Sequence, residues 1–210
     1  ALELLAALFK KHDAVICCGG TGLYIKALCE GLDDMPKADE ALRNELNKRF
    51  EVDGLESLQA ELKQLDPAHF EKMDTQNPQR VIRALEVCIS TGKPFSSFHV
   101  SVKKNRPFAI KKVGLELPRE ELYARINKRV DVMLENGWLD EAKSVYEKRH
   151  FNALNTVGYK ELFAHLSGEI ILEEAIEKIK INTRRFAKRQ MTWFKKDEEI
   201  DWKENHGQHS

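Results

Sequence analysis

Apolar residues in this chain recur mostly every three or four positions, the period of helices with one packed face. Between Glu40 and Cys88 the period runs through Leu42, Leu46 and Phe50, then Leu55, Leu58 and Leu62, then Val81, Leu85 and Cys88. Gly54, Asp66-Pro67 and Asn77-Pro78 punctuate it, and Thr91-Gly92-Lys93-Pro94 closes it with a glycine stop followed by proline. Pro118-Arg119-Glu120-Glu121 opens another helix, with proline in the first turn and acids near the positive end of the dipole. From there the pattern predicts helices over 119–135, 138–149, 156–166 and 171–195, with Gly137, Gly158 and Gly168 at or near the breaks. The opening ALELLAALFKKHD reads as an amphipathic helix ending in charges. Two stretches depart from the helical period. Ala14–Cys18 is a short apolar run bounded by glycines and predicts a buried strand, and AIKKVGLEL within Phe108–Leu117 is the later strand candidate. The tail from Lys203 is polar and is expected to fray.

Composition narrows the class. A chain of 210 residues holds one ordinary domain, or a core with a small insertion. Its 42% hydrophobic and 32% charged residues suit a soluble globular protein, and no run approaches the ~20 apolar residues of a membrane span. The cationic residues of the opening follow its apolar run rather than precede it, so it is not a secretory signal. The four cysteines, Cys17, Cys18, Cys29 and Cys88, form no C-x-x-C pair and read as reduced core thiols of a cytosolic protein. No histidine has a ligand-like spacing to them, which argues against structural zinc. Charge balances at 34 against 34, yet the signs are segregated. Lys178 to Lys196 holds eight cations and no acid, and His99 to Leu115 holds five cations and no acid.

Several stretches carry possible chemistry. Gly19-Gly20-Thr21-Gly22 follows the predicted strand and leads into a helix. In α/β sheets that arrangement sets backbone N–H groups against a ligand, though it equally makes a plain strand-to-helix turn. The spacing matches neither G-x-G-x-x-G nor a P-loop. Arg129 falls inside the stripe of Leu122, Ile126 and Met133, where an arginine needs an anion, supplied by an internal carboxylate or by a phosphate; Arg125 borders the same face. Gln79 and Arg83 stack one turn apart on the polar side of their helix, suited to reading base edges or to plain solvation. In the last helix an apolar stripe of Ile179, Phe186 and Trp193 runs beside Lys178, Arg185, Arg189 and Lys196. Such a helix favours nucleic acid over a membrane surface, because the apolar stripe is narrow. Asn155-Thr156-Val157-Gly158-Tyr159-Lys160 is a turn in which Gly158 permits a close backbone approach and Tyr159 stacks or packs.

Together, GGTGLY, Met35-Pro36, Arg43, Asp66-Pro67, NPQRVIRALEV, STGKP, RINKRVDVM, TVGYKE and RRFAKRQMTWFK resemble the tRNA dimethylallyltransferases, from about Asp13 to Lys195. The resemblance implies an α/β fold with a P-loop-NTPase-like core, incomplete in this chain and mostly α in the part present. It divides the chain into 1–34, part of the core; 35–95, a helical insertion lobe; 96–202, the core continuation and C-terminal helices; and 203–210, a frayed tail. It also implies a cytoplasmic monomer with no membrane partner. The implied activity is transfer of a dimethylallyl group from dimethylallyl diphosphate, with Mg2+, to N6 of the adenosine 3′ to the anticodon, the tRNA anticodon arm being clasped by the protein. By the same resemblance, Thr21 lies at the reacting adenosine and its activating carboxylate, and Arg129 holds the donor diphosphate. Arg43, the run Gln79, Arg80, Val81, Ile82 and Arg83, and the run Asn155, Thr156, Val157, Gly158, Tyr159 and Lys160 match tRNA-contacting positions, joined by Arg185 and Arg189 of the basic helix. The family's G-P-T-x-x-G-K-[ST] loop and its base aspartate do not occur in this sequence. The expectation is therefore a C-terminal portion of a longer enzyme that alone binds RNA without transfer, with the magnesium ligand outside it. The rival readings are an RNA-binding module without catalysis and a prenyltransferase acting on free adenine nucleotides.

Overall fold

A computed structural model describes residues 1–37, 39–99 and 103–204. They fall into two units, Ala1–Leu4 with Lys26–Pro107, and Leu5–Ile25 with Phe108–Ser210. Two short helices, α1 (Leu2–Leu8) and α2 (Gly22–Glu30), contribute residues to both. No helix among the described residues is long and apolar enough to cross a membrane.

The first unit is helical. The Asp39 carboxylate caps α3 (Glu40–Leu65) by accepting from the Ala41 and Leu42 N–H groups. Gly54, at φ 78°, interrupts that helix with a backbone conformation that only glycine adopts cheaply. Asp66 ends α3 and caps α4 (Pro67–Phe70), accepting from His69 N at 3.0 Å. Asn77 accepts from Arg80 N to start α5 (Pro78–Thr91), with proline in its first turn, and left-handed Gly92 closes it. Leu46, Leu58 and Leu62 of α3 pack on Val81, Ile82, Leu85 and Cys88 of α5.

Asp66 also ties α4 to the turn beyond α5, accepting from Ser96 N at 2.6 Å and Ser96 Oγ at 2.9 Å. Burial acts to raise the Asp66 carboxyl, but the N–H bonds from Ser96 and His69 and the Ser96 hydroxyl outweigh it and hold it below the usual range. His69 stacks on His99 and packs tilted against Phe95. Burial pushes its imidazole down, the Asp66 charge opposes that, and His99 adds to the lowering. Both groups bind fewer protons folded than unfolded in acid. Their stabilisation is complete above about pH 6.5 and is lost first as pH falls below the ordinary imidazole value, then below about pH 4. Thermal melting between pH 7 and pH 3 should show both losses, and Asp66→Asn should melt lower at pH 7 and lack the lower step.

The second unit holds β1 (Lys112–Glu116), α6 (Arg119–Glu135), α7 (Trp138–Ser144), α8 (Tyr159–Leu166), α9 (Leu172–Phe194) and β2 (Ile200–Glu204). β1 and β2 pair in parallel from Lys112↔Ile200 to Glu116↔Glu204, so the four helices form the crossover that parallel strands require. Gly114 leaves room for the Trp202 ring, which a β-carbon would meet at 2.6 Å. Lys112 anchors the approach to β2 through Asp197 at 2.7 Å and Glu199 at 2.9 Å. Val130, Trp138, Ala142, Leu162, Phe163 and Ile179 make the core between the helices.

Four expectations change. Residues 14–18 form no strand and Ile16 is 88% exposed. A strand needs hydrogen-bonded neighbours, and among the described residues the sheet has only β1 and β2. Cys17 and Cys18 are accordingly exposed and Cys29 half-buried, leaving Cys88 as the core thiol, its pKa raised by burial. Lys203 and Glu204, expected to fray, belong to β2, while 205–210 lie outside the described residues. The helix expected over 138–149 ends at Ser144 and gives way to a short 3-10 turn, Tyr146–Lys148.

Candidate functional site

In the second unit the glycine loop lies against α9. Gln190 Nε2 donates to the Gly20 carbonyl at 2.8 Å. A β-carbon at Gly20 would overlap the Gln190 carboxamide, and one at Gly22 would overlap the Trp193 indole. The glycines at these positions thus let two α9 side chains close on the loop. Thr21, between them, accepts from Ile25 N through its carbonyl at 3.1 Å, which begins α2. Its side chain is exposed, and its hydroxyl has no hydrogen-bond partner among the described residues.

Arg129 is exposed and forms no ion pair among the described residues. The sequence put it on the packed face of α6, and the structure moves that face. Val130 is the buried residue of α6, and Asn127 and Asp131 face α9, where they meet Arg184 at 2.7 Å and Lys180 at 2.8 Å. Leu122, Ile126 and Met133 are only half-buried. At ~100° per residue, Arg129 lies a quarter-turn from Val130 and reaches solvent. Arg125 pairs with Glu121 at 2.7 Å.

The apolar stripe of α9 packs only over its first half. Ala175 and Ile179 are buried, but Phe186 and Trp193 are 49% and 48% exposed, because the core partners from α6 to α8 meet only the earlier turns. The cations separate into two groups. Lys178, Lys180 and Lys195 have acid partners in Glu174, Asp131 and Glu116, and Arg184 is held by Asn127. Arg185, Lys188, Arg189 and Lys196 are exposed with no acid partner among the described residues. Arg185, Arg189 and Lys196 share one line along the helix.

The 155–160 turn docks on α7, and Glu161 just beyond it reaches α9. Gly158, at φ 103°, is buried, and a β-carbon there would overlap the Trp138 ring. Its close approach is therefore to Trp138, and its N–H is occupied by Glu161 Oε2 at 2.7 Å. Glu161 Oε1 accepts from Asn182 Nδ2 of α9 at 2.7 Å. Tyr159 packs edge-on to Trp138 and donates to Glu141 at 2.6 Å; that bond, with burial and the carboxylate charge, raises the phenol pKa. Asn155, Thr156 and Lys160 are exposed, and Val157 is half-buried.

In the first unit, Glu86 gathers Arg43 and Arg83. The buried carboxylate accepts from Arg43 Nη2 at 2.7 Å and Nε at 3.0 Å, Arg83 Nη1 at 2.8 Å, and Asp39 N at 2.9 Å. Arg83 Nη2 also donates to the Pro36 carbonyl at 2.7 Å. Gln79 and Arg80 are exposed. Val81 and Ile82, carried over as tRNA contacts within the run, are core residues at 0% and 1% exposure: the face of α5 that packs on α3 takes them away from any ligand. The sequence reading missed Glu86, whose only local signal is a carboxylate at i+3 from Arg83. Glu86→Ala should destabilise this unit by about 2–4 kcal/mol, measured by urea unfolding. Arg43→Ala should cost less, because Arg83 and the Asp39 N–H still meet the carboxylate.

The family is fixed by comparison with known proteins. The family described as IPP transferase matches residues 1–197, and the chain belongs to it. A tRNA dimethylallyltransferase 1 from Bacteroides thetaiotaomicron is 54% identical over 202 residues, 96% of this chain and 66% of that protein. A tRNA dimethylallyltransferase from Christiangramia forsetii is 54% identical over 202 residues, 96% of this chain and 67% of that one. Among solved structures, the tRNA isopentenylpyrophosphate transferase from Bacillus halodurans is 38% identical with a TM-score of 0.55, covering 89% of this chain and 58% of its own. A eukaryotic dimethylallyltransferase acting on tRNA is 27% identical with a TM-score of 0.62, covering 89% and 50%. The chain thus spans about two thirds of these curated relatives.

Proposed function

We propose that this protein transfers a dimethylallyl group from dimethylallyl diphosphate to N6 of the adenosine 3′ to the anticodon of a tRNA. The observation that carries this reading is the 54% identity over 202 residues to a protein named tRNA dimethylallyltransferase. The geometry supports it in the second unit, where α9 has unpaired cations along one line and two side chains on the loop that carries Thr21. Arg185 and Arg189 meet RNA phosphates, with Asn155, Thr156 and Lys160 contributing from the turn. Gln79, Arg80, Arg43 and Arg83 contact RNA from the first unit, the last two oriented by Glu86. The small parallel sheet is part of a P-loop-NTPase-like α/β core, and the α3–α5 helices are a lobe inserted in it.

In the reaction the adenosine nitrogen attacks the allylic carbon, a C–N bond forms, the C–O bond to diphosphate breaks, and the N6 proton passes to a general base. Arg129, exposed and without an acid partner, stabilises the charge that grows on the leaving diphosphate. Thr21 orients the acceptor amine and its base from the start of α2. Magnesium would screen the diphosphate. Neither unit alone gathers three acid, imidazole or thiol ligand atoms among the described residues. An acceptor competition tests the reading: the intact protein should prenylate an anticodon stem-loop in the presence of excess AMP. Prenylation of AMP alone would support action on free nucleotides instead.

A further inference from the structure

From the contacts of the glycine loop we infer that Gln190 and Trp193 are positioning residues for Thr21, and that α9 sets the distance between the docked RNA backbone and the reacting adenosine. The inference rests on the transfer activity proposed above. Gln190 reaches back 170 positions to donate to the Gly20 carbonyl at 2.8 Å, and the Trp193 indole fills the place of a side chain at Gly22. The loop is thus held on both sides of Thr21, whose own hydroxyl stays free.

The second half of α9 lies beyond this unit's buried core cluster, whose last member on α9 is Ile179, and Trp193 is half-exposed. Its cation line lies next to the clamp: Arg189 directly precedes Gln190 and stands one turn before Trp193, and Lys196 stands one turn after. One rigid helix therefore presents phosphate-binding charge and the support of the reacting loop at a fixed spacing. RNA seated on Arg185, Arg189 and Lys196 meets Thr21 in a set register. Loss of the clamp leaves RNA affinity intact and lets Thr21 wander, and a misplacement of ~1 Å is enough to slow a reaction ~100-fold.

The test is steady-state prenylation of a stem-loop by the intact protein. Gln190→Ala should lower kcat by about 10–100-fold while KM for RNA stays within about twofold. Gln190→Glu keeps the shape but turns an acceptor on the Gly20 carbonyl, so it should be at least as slow. Gly20→Ala should lower kcat in the wild-type background and add little to Gln190→Ala, because the overlap it creates is with the carboxamide already removed. Full kcat in Gln190→Glu, or an equal cost of Gly20→Ala in both backgrounds, would overturn the inference. If the wild-type protein transfers nothing, the functional reading fails separately. Hydrogen exchange then decides the clamp: the Ile25 amide, bonded to Thr21 O, should exchange faster in Gln190→Ala, and unchanged exchange overturns it.

Discussion

Arg129→Ala in the intact protein is expected to slow dimethylallyl transfer by roughly 10²–10³-fold with little change in thermal melting. The separation of the two readouts follows from the surroundings of this arginine. It is exposed and has no acid partner among the described residues, so its removal strands no buried charge. A structural arginine would behave in the opposite way, like the buried Glu86 that holds Arg43 and Arg83, where truncation costs folding. The loss in Arg129→Ala should appear in kcat and kcat/KM together, because the charge it meets grows as the diphosphate leaves. A variant that melts much lower and still turns over normally would remove Arg129 from the diphosphate site.

The second large effect belongs to the cation line of α9. With Arg185, Arg189 and Lys196 of the line and the unpaired Lys188 on phosphates, log affinity for a stem-loop should fall against log salt with a slope of roughly −3 to −4. Reversing Arg185 and Arg189 to Glu should weaken binding by about 10–100-fold near physiological salt and bring the slope toward −1 to −2. Reversing Lys178 and Lys180 should do much less to the slope, because Glu174 and Asp131 already hold them. Donor binding should not change in either pair. Filter binding across a salt series reads all of this, and a slope that ignores Arg185 and Arg189 would leave α9 a merely solvated surface.

The parts of the molecule that were legible in the sequence are those set by neighbours along the chain. Asp66-Pro67, Asn77-Pro78 and Gly92 fix helix ends through contacts within four residues, and each does so in the structure. Gly54 breaks α3 where the sequence marks a break. What was not legible depends on distant partners. The run 14–18 has strand composition, but a strand is defined by its ladder, and the described residues give it none. β2 was missed because its signal is only Ile200 and Trp202 alternating among charges, while its partner β1 lies more than 80 residues earlier. For Arg129 the helical period was right and the phase wrong, since the packing of α6 on α9 decides which side is buried. Val81 and Ile82 entered the RNA-contact list through a contiguous motif, although a helix of ~3.6 residues per turn carries part of any run of five onto its packed face. Gln190 stands out locally only as a polar residue on the apolar stripe between Phe186 and Trp193. Its partner is a glycine carbonyl 170 residues away, and only the folded chain brings the two together.

Nucleoside analysis of the reaction product tests the central claim most directly. The intact protein, dimethylallyl diphosphate, magnesium and an anticodon stem-loop are incubated together, and the RNA is digested to nucleosides and analysed by mass. The account predicts one dimethylallyl group on N6 of the adenosine 3′ to the anticodon, and none when that adenosine is replaced by guanosine. RNA that is bound tightly and recovered unmodified would contradict it and leave a binding module in its place.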